Sequence, residues 1–158
     1  NMESVTDVFP GATFIHLVRD GVDVTHSWTE QSKYQNDIEG AARRWRSAVT
    51  SAQEFSEEQP DRLLEVRYES LCQSPRDTLR TVCEFSDLPF ESDMISKTKH
   101  YAEMETAQSI SHYQKAVEEI ETDSIGRGRR EMSKADKRKV KPILADQLDR
   151  LGYDPVSP

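Results

Sequence analysis

Only two cysteines, Cys72 and Cys83, occur in the 158 residues. That is too few for a disulfide framework, and neither sits at a metal-ligand spacing from a second Cys or a His, so both read as free interior thiols. No apolar run approaches the ~18 residues needed to span a bilayer, no signal-peptide pattern opens the chain, and no Asn-x-Ser/Thr sequon is present. The expected setting is cytoplasmic, with no membrane segment in this chain; an anchor ahead of residue 1 would lie outside it. Basic charge is also short. Lys and Arg number 21 against 29 Asp and Glu, giving a net charge of -8 and a pI near 5.0, which opposes a nucleic-acid partner because binding polyanions needs a basic face. With 35% hydrophobic and 32% charged residues and a mean hydropathy of -0.79, the chain is lean for a body that buries its own core. Its length suits one domain. It opens on Asn1 rather than Met, and reads as part of something longer.

The charge is uneven. Residues 127–141 hold eight basic side chains against Glu131 and Asp136, a local +6 in an acidic chain. Thr13 to Arg19 is an apolar run with β-branched members between Pro10-Gly11 and Asp20-Gly21, which predicts a buried strand ending at Arg19. A helix is expected from Gly21 to near Tyr34, with Asp20 and Asp23 at its positive end. A second should run from Ile38 to about Glu57, burying Ala41, Ala42, Trp45, Ala48, Val49 and Ala52 before Gln59-Pro60 breaks it. Leu63 to Tyr68 reads as the second strand and Arg76 to Phe85 as an amphipathic helix entered after Ser74-Pro75. Residues 91–121 are polar and weakly periodic, and broken helix is expected there. Ser133 to Asp136 forms a capping-box pattern ahead of a last helix that Gly152 ends.

Strands alternating with helices predict an α/β layer fold with a parallel sheet. In such sheets ligands sit beyond the carboxyl ends of the strands, near helix N-termini. Arg19 stands at one such end, and its planar fork suits a phosphate. Ser27, eight residues on, lies roughly 9 Å along the following helix, so both side chains can reach one phosphate lying beside it. The spacing alone leaves the alternative open that Arg19 pairs with Asp20 or Asp23 and that Ser27 bonds its own backbone.

The segment from Phe14 through Arg19 to Ser27-Trp28 resembles the 3′-phosphate-binding segment of the sulfotransferases, in which a strand ends in Arg and a Ser follows eight residues later. Leu64-Glu-Val-Arg-Tyr-Glu-Ser-Leu71, followed by Pro75, Thr78, Leu79 and Phe85, is similar to the family's strand-Tyr-Glu-x-Leu segment. Tyr68 there takes the place of the ring that lies against adenine, which is sensible because every purine offers a π-face; its alternative is an aromatic covering core. Ser124-Ile-Gly-Arg-Gly-Arg-Arg130 resembles the loop that closes over the nucleotide phosphate in bacterial-type members, with Ser124, Gly126 and Arg127 as the binding residues. The chain departs from that pattern at Gly128, where an aromatic is common.

The resemblance implies a P-loop nucleoside triphosphate hydrolase-like α/β fold, a parallel sheet with flanking helices, present here as an incomplete, helix-rich portion: residues 1–158 as the 3′-phosphate and adenine-binding part of one sulfotransferase domain. It implies 3′-phosphoadenosine 5′-phosphosulfate as donor, no metal, and a small-molecule, glycan or peptide acceptor. The family's Gly-rich 5′-phosphosulfate loop has no counterpart in the chain. No catalytic base can be named either: His16, His26, His100 and His112 qualify by residue type alone, and each reads as a packing or solvent-facing residue. The chain by itself is therefore expected to be inactive. A nucleotide or small-molecule kinase of related fold, or a non-catalytic nucleotide-binding or interaction fragment, are the rival readings.

Overall fold

The computed structural model describes residues 2–30, 37–96 and 122–157. In chain order its elements are α1 (Met2–Val8), β1 (Phe14–Val18), α2 (Gly21–Thr29), α3 (Ile38–Glu58), β2 (Leu63–Arg67), α4 (Tyr68–Gln73), α5 (Pro75–Phe85), α6 (Asp93–Ser96), α7 (Arg127–Glu131) and α8 (Lys134–Arg150). The chain divides into two compact units, residues 1–65 with 123–158, and residues 66–122.

In the first unit the apolar run after Gly11 forms β1, which pairs with β2 in a two-stranded parallel sheet. A single 3-10 turn, Pro60–Arg62, leads into β2. Arg62 ties that turn to the start of β1, its Nε and Nη2 donating to the Ala12 carbonyl at 3.0 and 2.7 Å. The sequence predicts a buried strand, but among the described residues only one face of β1 is covered. Val18 is 2% exposed, whereas Ile15 and Leu17 are 48% and 51% exposed. Side chains alternate across a strand, and α3 covers only the face carrying Phe14 and Val18, with the Phe14 and Phe55 rings edge-on at 5.1 Å.

The helices follow from their caps. Asp20 stands at the N-cap of α2 and its carboxylate accepts from the Val22 N–H at 2.7 Å, so α2 begins directly behind Arg19. Its expected extension to Tyr34 falls on residues outside those described. Asp37 caps α3 by accepting from Gly40 N–H at 2.8 Å. The buried stripe of α3 is Ala41, Ala42, Trp45, Val49, Ala52 and Phe55; Ala48, expected on that stripe, is exposed. Ser133 caps α8, accepting from Asp136 N–H at 3.1 Å while its hydroxyl donates to the Asp136 carboxylate at 2.7 Å. That hydroxyl, followed by the Lys139 ammonium, holds the Asp136 pKa below its ordinary value. The α8 stripe of Val140, Leu144 and Leu148 packs on Trp45 and Val49 of α3 and on Val22 of α2, each fully buried aliphatic contributing about 1.5–3 kcal/mol.

The expected loop at residues 124–130 is a turn followed by α7. Gly126 takes a left-handed φ of 71° at the N-cap, which turns the chain into the helix. α7 then lies so close to α2 that a Cβ on Gly128 would stand 2.5 Å from the Val22 carbonyl oxygen and 2.8 Å from Asp23 Cα.

The second unit holds α4, α5 and α6. Tyr68 opens α4, so β2 ends one residue earlier than its pattern predicts. Pro75 at the first position of α5 starts that helix. Cys72 and Cys83 are buried free thiols, as expected. Within residues 91–121 the described part holds only α6, and the remainder lies outside the described residues.

Gly128→Ala in a helix would ordinarily stabilise by up to about 1 kcal/mol. Here the contact with rigid α2 backbone reverses the sign, and a loss of about 1–3 kcal/mol is expected, or a melting temperature lower by ~2–4 °C per kcal/mol. Gly11→Ala, which meets nothing within 4 Å, should leave the melt unchanged or slightly raised. A thermal melt in which both changes act alike would contradict the close α7–α2 approach.

Candidate functional site

Arg19 follows the last residue of β1, and two packing contacts fix its backbone. Trp45 Nε1 donates to the Arg19 carbonyl at 3.1 Å. The same indole lies on Gly21, where any Cβ would stand 2.8 Å from the ring, so Gly21 lets α3 approach the strand end.

The Arg19 side chain is one-fifth exposed and turns along the first turn of α2, its Nη2 3.5 Å from Asp23 Oδ2. The same nitrogen donates to the Ser124 carbonyl. Arg19 therefore pairs with Asp23, one of the two outcomes its sequence leaves open. Asp23 is fully buried, and its carboxylate also accepts from two backbone groups of the glycine-bearing segment: Gly126 N–H to Oδ2 at 2.6 Å and Gly128 N–H to Oδ1 at 2.8 Å. The anion that these glycines approach is thus a side chain of the protein.

Asp20 forms a second link. Arg129 Nε donates to Asp20 Oδ2 at 2.7 Å, and the Arg129 fork reaches on to the carbonyls of Asp154 and Pro155 at 2.5 and 3.1 Å. Lys137, in the basic run of residues 127–141, is half-buried and donates to the Arg129 carbonyl at 2.7 Å. Burial pushes the Asp20 pKa above its ordinary value, and Arg129 pulls against that rise.

Arg127 lies at the surface, where its Nη2 meets Glu30 at 2.6 Å and its Nε meets Glu131 at 2.9 Å. His26 Nε2 faces the same Glu131 oxygen at 3.3 Å. His26, Glu30 and Glu131 offer one ligand atom each within 4.8 Å, but the guanidinium already bridges both carboxylates and supplies the charge a cation would bring. His16 Nδ1 lies 3.5 Å from Glu65; His100 and His112 lie outside the described residues.

Of the sequence-predicted residues, Arg19, Ser124 and Gly126 come together around Asp23. Ser27 is half-buried one turn beyond Asp23 on the same face of α2, and Arg127 belongs to the neighbouring Glu30 and Glu131 network. Tyr68 is half-buried at the head of α4 in the second unit. From the sequence, Asp20 and Asp23 favour the positive end of a helix and offer a partner to Arg19. Their other partners, Gly126, Gly128 and Arg129, lie more than a hundred residues away, and the one available signal was the pair of glycines beside Arg127 and Arg129.

A family model described as "Sulfotransferase family" matches residues 1–92. Protein-tyrosine sulfotransferase 1 of Danio rerio is 27% identical over 163 residues, an alignment covering 94% of this chain and 44% of that protein. Among solved structures, the sulfotransferase domain from the Synechococcus PCC 7002 olefin synthase superposes with a TM-score of 0.75 at 22% identity, over 90% of this chain and 50% of that one. The sulfotransferase domain from the curacin biosynthetic pathway gives 0.69 at 20%, over 90% and 54%. The chain thus spans about half the length of the proteins it matches, and the two structural likenesses show the α/β fold.

The buried Asp20 carboxylate has a signed consequence. A folded pKa raised above the unfolded value contributes stability that is fully present below the unfolded pKa and is lost as pH rises through the folded one. Asp20→Asn removes this titration while leaving the depressed groups Glu131 and Asp136 unchanged. The stability of the wild type relative to Asp20→Asn, from urea unfolding between pH 3 and 7, should therefore fall with rising pH. A relative stability that grows with pH would show that the Arg129 ion pair outweighs burial.

Proposed function

Because this chain belongs to the sulfotransferase family, we propose that it forms the part of such an enzyme that binds the 3′-phosphate and adenine of 3′-phosphoadenosine 5′-phosphosulfate. The enzyme transfers the sulfonate to an acceptor hydroxyl or amine on a small molecule, glycan or peptide. In that reaction the acceptor oxygen or nitrogen forms a bond to sulfur as the bond from sulfur to the phosphate oxygen breaks. The acceptor's proton passes to a base, and 3′-phosphoadenosine 5′-phosphate leaves. The 5′-phosphosulfate loop and that base are assigned to parts of the enzyme other than residues 1–158.

The observation that carries this reading is the position of Arg19. It stands at the carboxyl end of a parallel strand, its guanidinium is one-fifth exposed and aimed along α2, and Ser27 lies further along the same helix. A guanidinium held in place by Asp23 and the Ser124 carbonyl loses little freedom when an anion docks. Ser27 adds a neutral hydroxyl to the same phosphate. By the family resemblance, Ser124, Gly126 and Arg127 are assigned to the phosphate and Tyr68 to the adenine.

In the intact enzyme Arg19→Ala is expected to weaken 3′-phosphoadenosine 5′-phosphate roughly 10–100-fold, and Ser27→Ala roughly 2–10-fold, because a charge-assisted hydrogen bond contributes more than a neutral one. Both changes should reduce the preference for this nucleotide over adenosine 5′-phosphate. Calorimetric titrations in which both variants keep that preference would remove the two residues from the site.

A further inference from the structure

Three donors converge on the two oxygens of Asp23: the N–H groups of Gly126 and Gly128, at 2.6 and 2.8 Å, and the Arg19 guanidinium at 3.5 Å. The carboxylate is fully buried, so these are the contacts that replace water for its charge. We infer that Asp23 is a positioning residue for the nucleotide site: its carboxylate acts as a resident anion that orders residues 124–128 and aims Arg19 before any nucleotide arrives. The inference rests on the proposed 3′-phosphate site and adds to it a residue that touches no part of the nucleotide.

A backbone segment rich in N–H donors can serve an anion in two ways. An open segment folds over the incoming phosphate with its own N–H groups. Here the Gly126 and Gly128 N–H groups are committed to Asp23, so the segment is closed without ligand. It contributes the Ser124 carbonyl, which accepts from the same Arg19 nitrogen that meets Asp23. The approach of α7 to α2 agrees, since Gly128 packs against the backbone of Val22 and Asp23 with no room for a Cβ.

Charge and position make opposite demands at Asp23, which gives the inference a sign. Judged by long-range charge alone, a carboxylate beside Arg19 repels phosphate, and neutralising it tightens binding. Judged by position, Asn supplies one oxygen where three donors need two, and its amide places N–H against N–H, so Arg19 and the segment lose their alignment and binding weakens.

The test uses the intact enzyme, its Asp23→Asn variant, and two probes, 3′-phosphoadenosine 5′-phosphate and adenosine 5′-phosphate. Asp23→Asn is expected to weaken the first at least about ten-fold and to leave the second unchanged, so that discrimination for the 3′-phosphate falls. Tighter binding of the bisphosphate would overturn the inference in favour of long-range charge. Equal losses for both probes would overturn it in favour of a general structural role. Amide hydrogen exchange on the unmodified enzyme stands independent of the variant's folding. Gly126 and Gly128 N–H should be protected without nucleotide and change little on its addition, whereas protection acquired only with nucleotide would show an open segment and refute a resident anion. A wild type without preference for the 3′-phosphate would defeat the proposed function, and the ligand-free exchange would still decide whether Asp23 orders the segment.

Discussion

The Asp23 carboxylate, buried and met by the N–H groups of Gly126 and Gly128 and by the Arg19 guanidinium, constrains everything around it. An ionised carboxylate without partners in such a place would cost several kcal/mol. The fold can therefore bury the first turn of α2 only if residues 124–128 lie against it and Arg19 bends along it. One side chain thus joins the end of β1, the start of α2 and a segment a hundred residues further on. The Asp20 and Arg129 pair, at 2.7 Å, repeats the link one turn away and extends it to the Asp154 and Pro155 carbonyls.

Local packing follows from that link. With α7 drawn onto α2, position 128 has no space for a side chain. With α3 drawn onto the strand end, Gly21 yields to the Trp45 ring, whose N–H holds the Arg19 carbonyl. The guanidinium arrives at the head of α2 with its backbone, its Asp partner and a facing carbonyl all fixed. On the proposed 3′-phosphate reading this is preorganisation: the ordering is done during folding and is not repeated at each binding event.

Much of this was legible in the residues. The apolar run ahead of Asp20-Gly21, the capping box at Ser133 and the Pro75 start of α5 each carry a local signal, and the structure has the corresponding element within a residue or two. The Arg19 to Ser27 spacing pointed to the end of β1, where the structure sets Arg19 against Asp23. What could not be read were facts set by distant partners. Asp23 looks like any acid in a first helical turn until Gly126 and Gly128 arrive. Ile15 and Leu17 look like core until the helices are seen to cover the other face of β1. The segment after Ser124 read as a loop that closes over a phosphate, whereas Gly126 serves as a left-handed helix cap and Gly128 as a point of contact with α2.

The central claim is that this arrangement receives a 3′-phosphate, and a crystal structure of the intact enzyme with 3′-phosphoadenosine 5′-phosphate tests it most directly. The account predicts the 3′-phosphate oxygens within about 2.7–3.2 Å of the Arg19 guanidinium and the Ser27 hydroxyl, with Gly126 and Gly128 still donating to Asp23. A nucleotide seated with its 3′-phosphate beyond reach of Arg19, or bound by the Gly126 and Gly128 N–H groups after they have left Asp23, would contradict it.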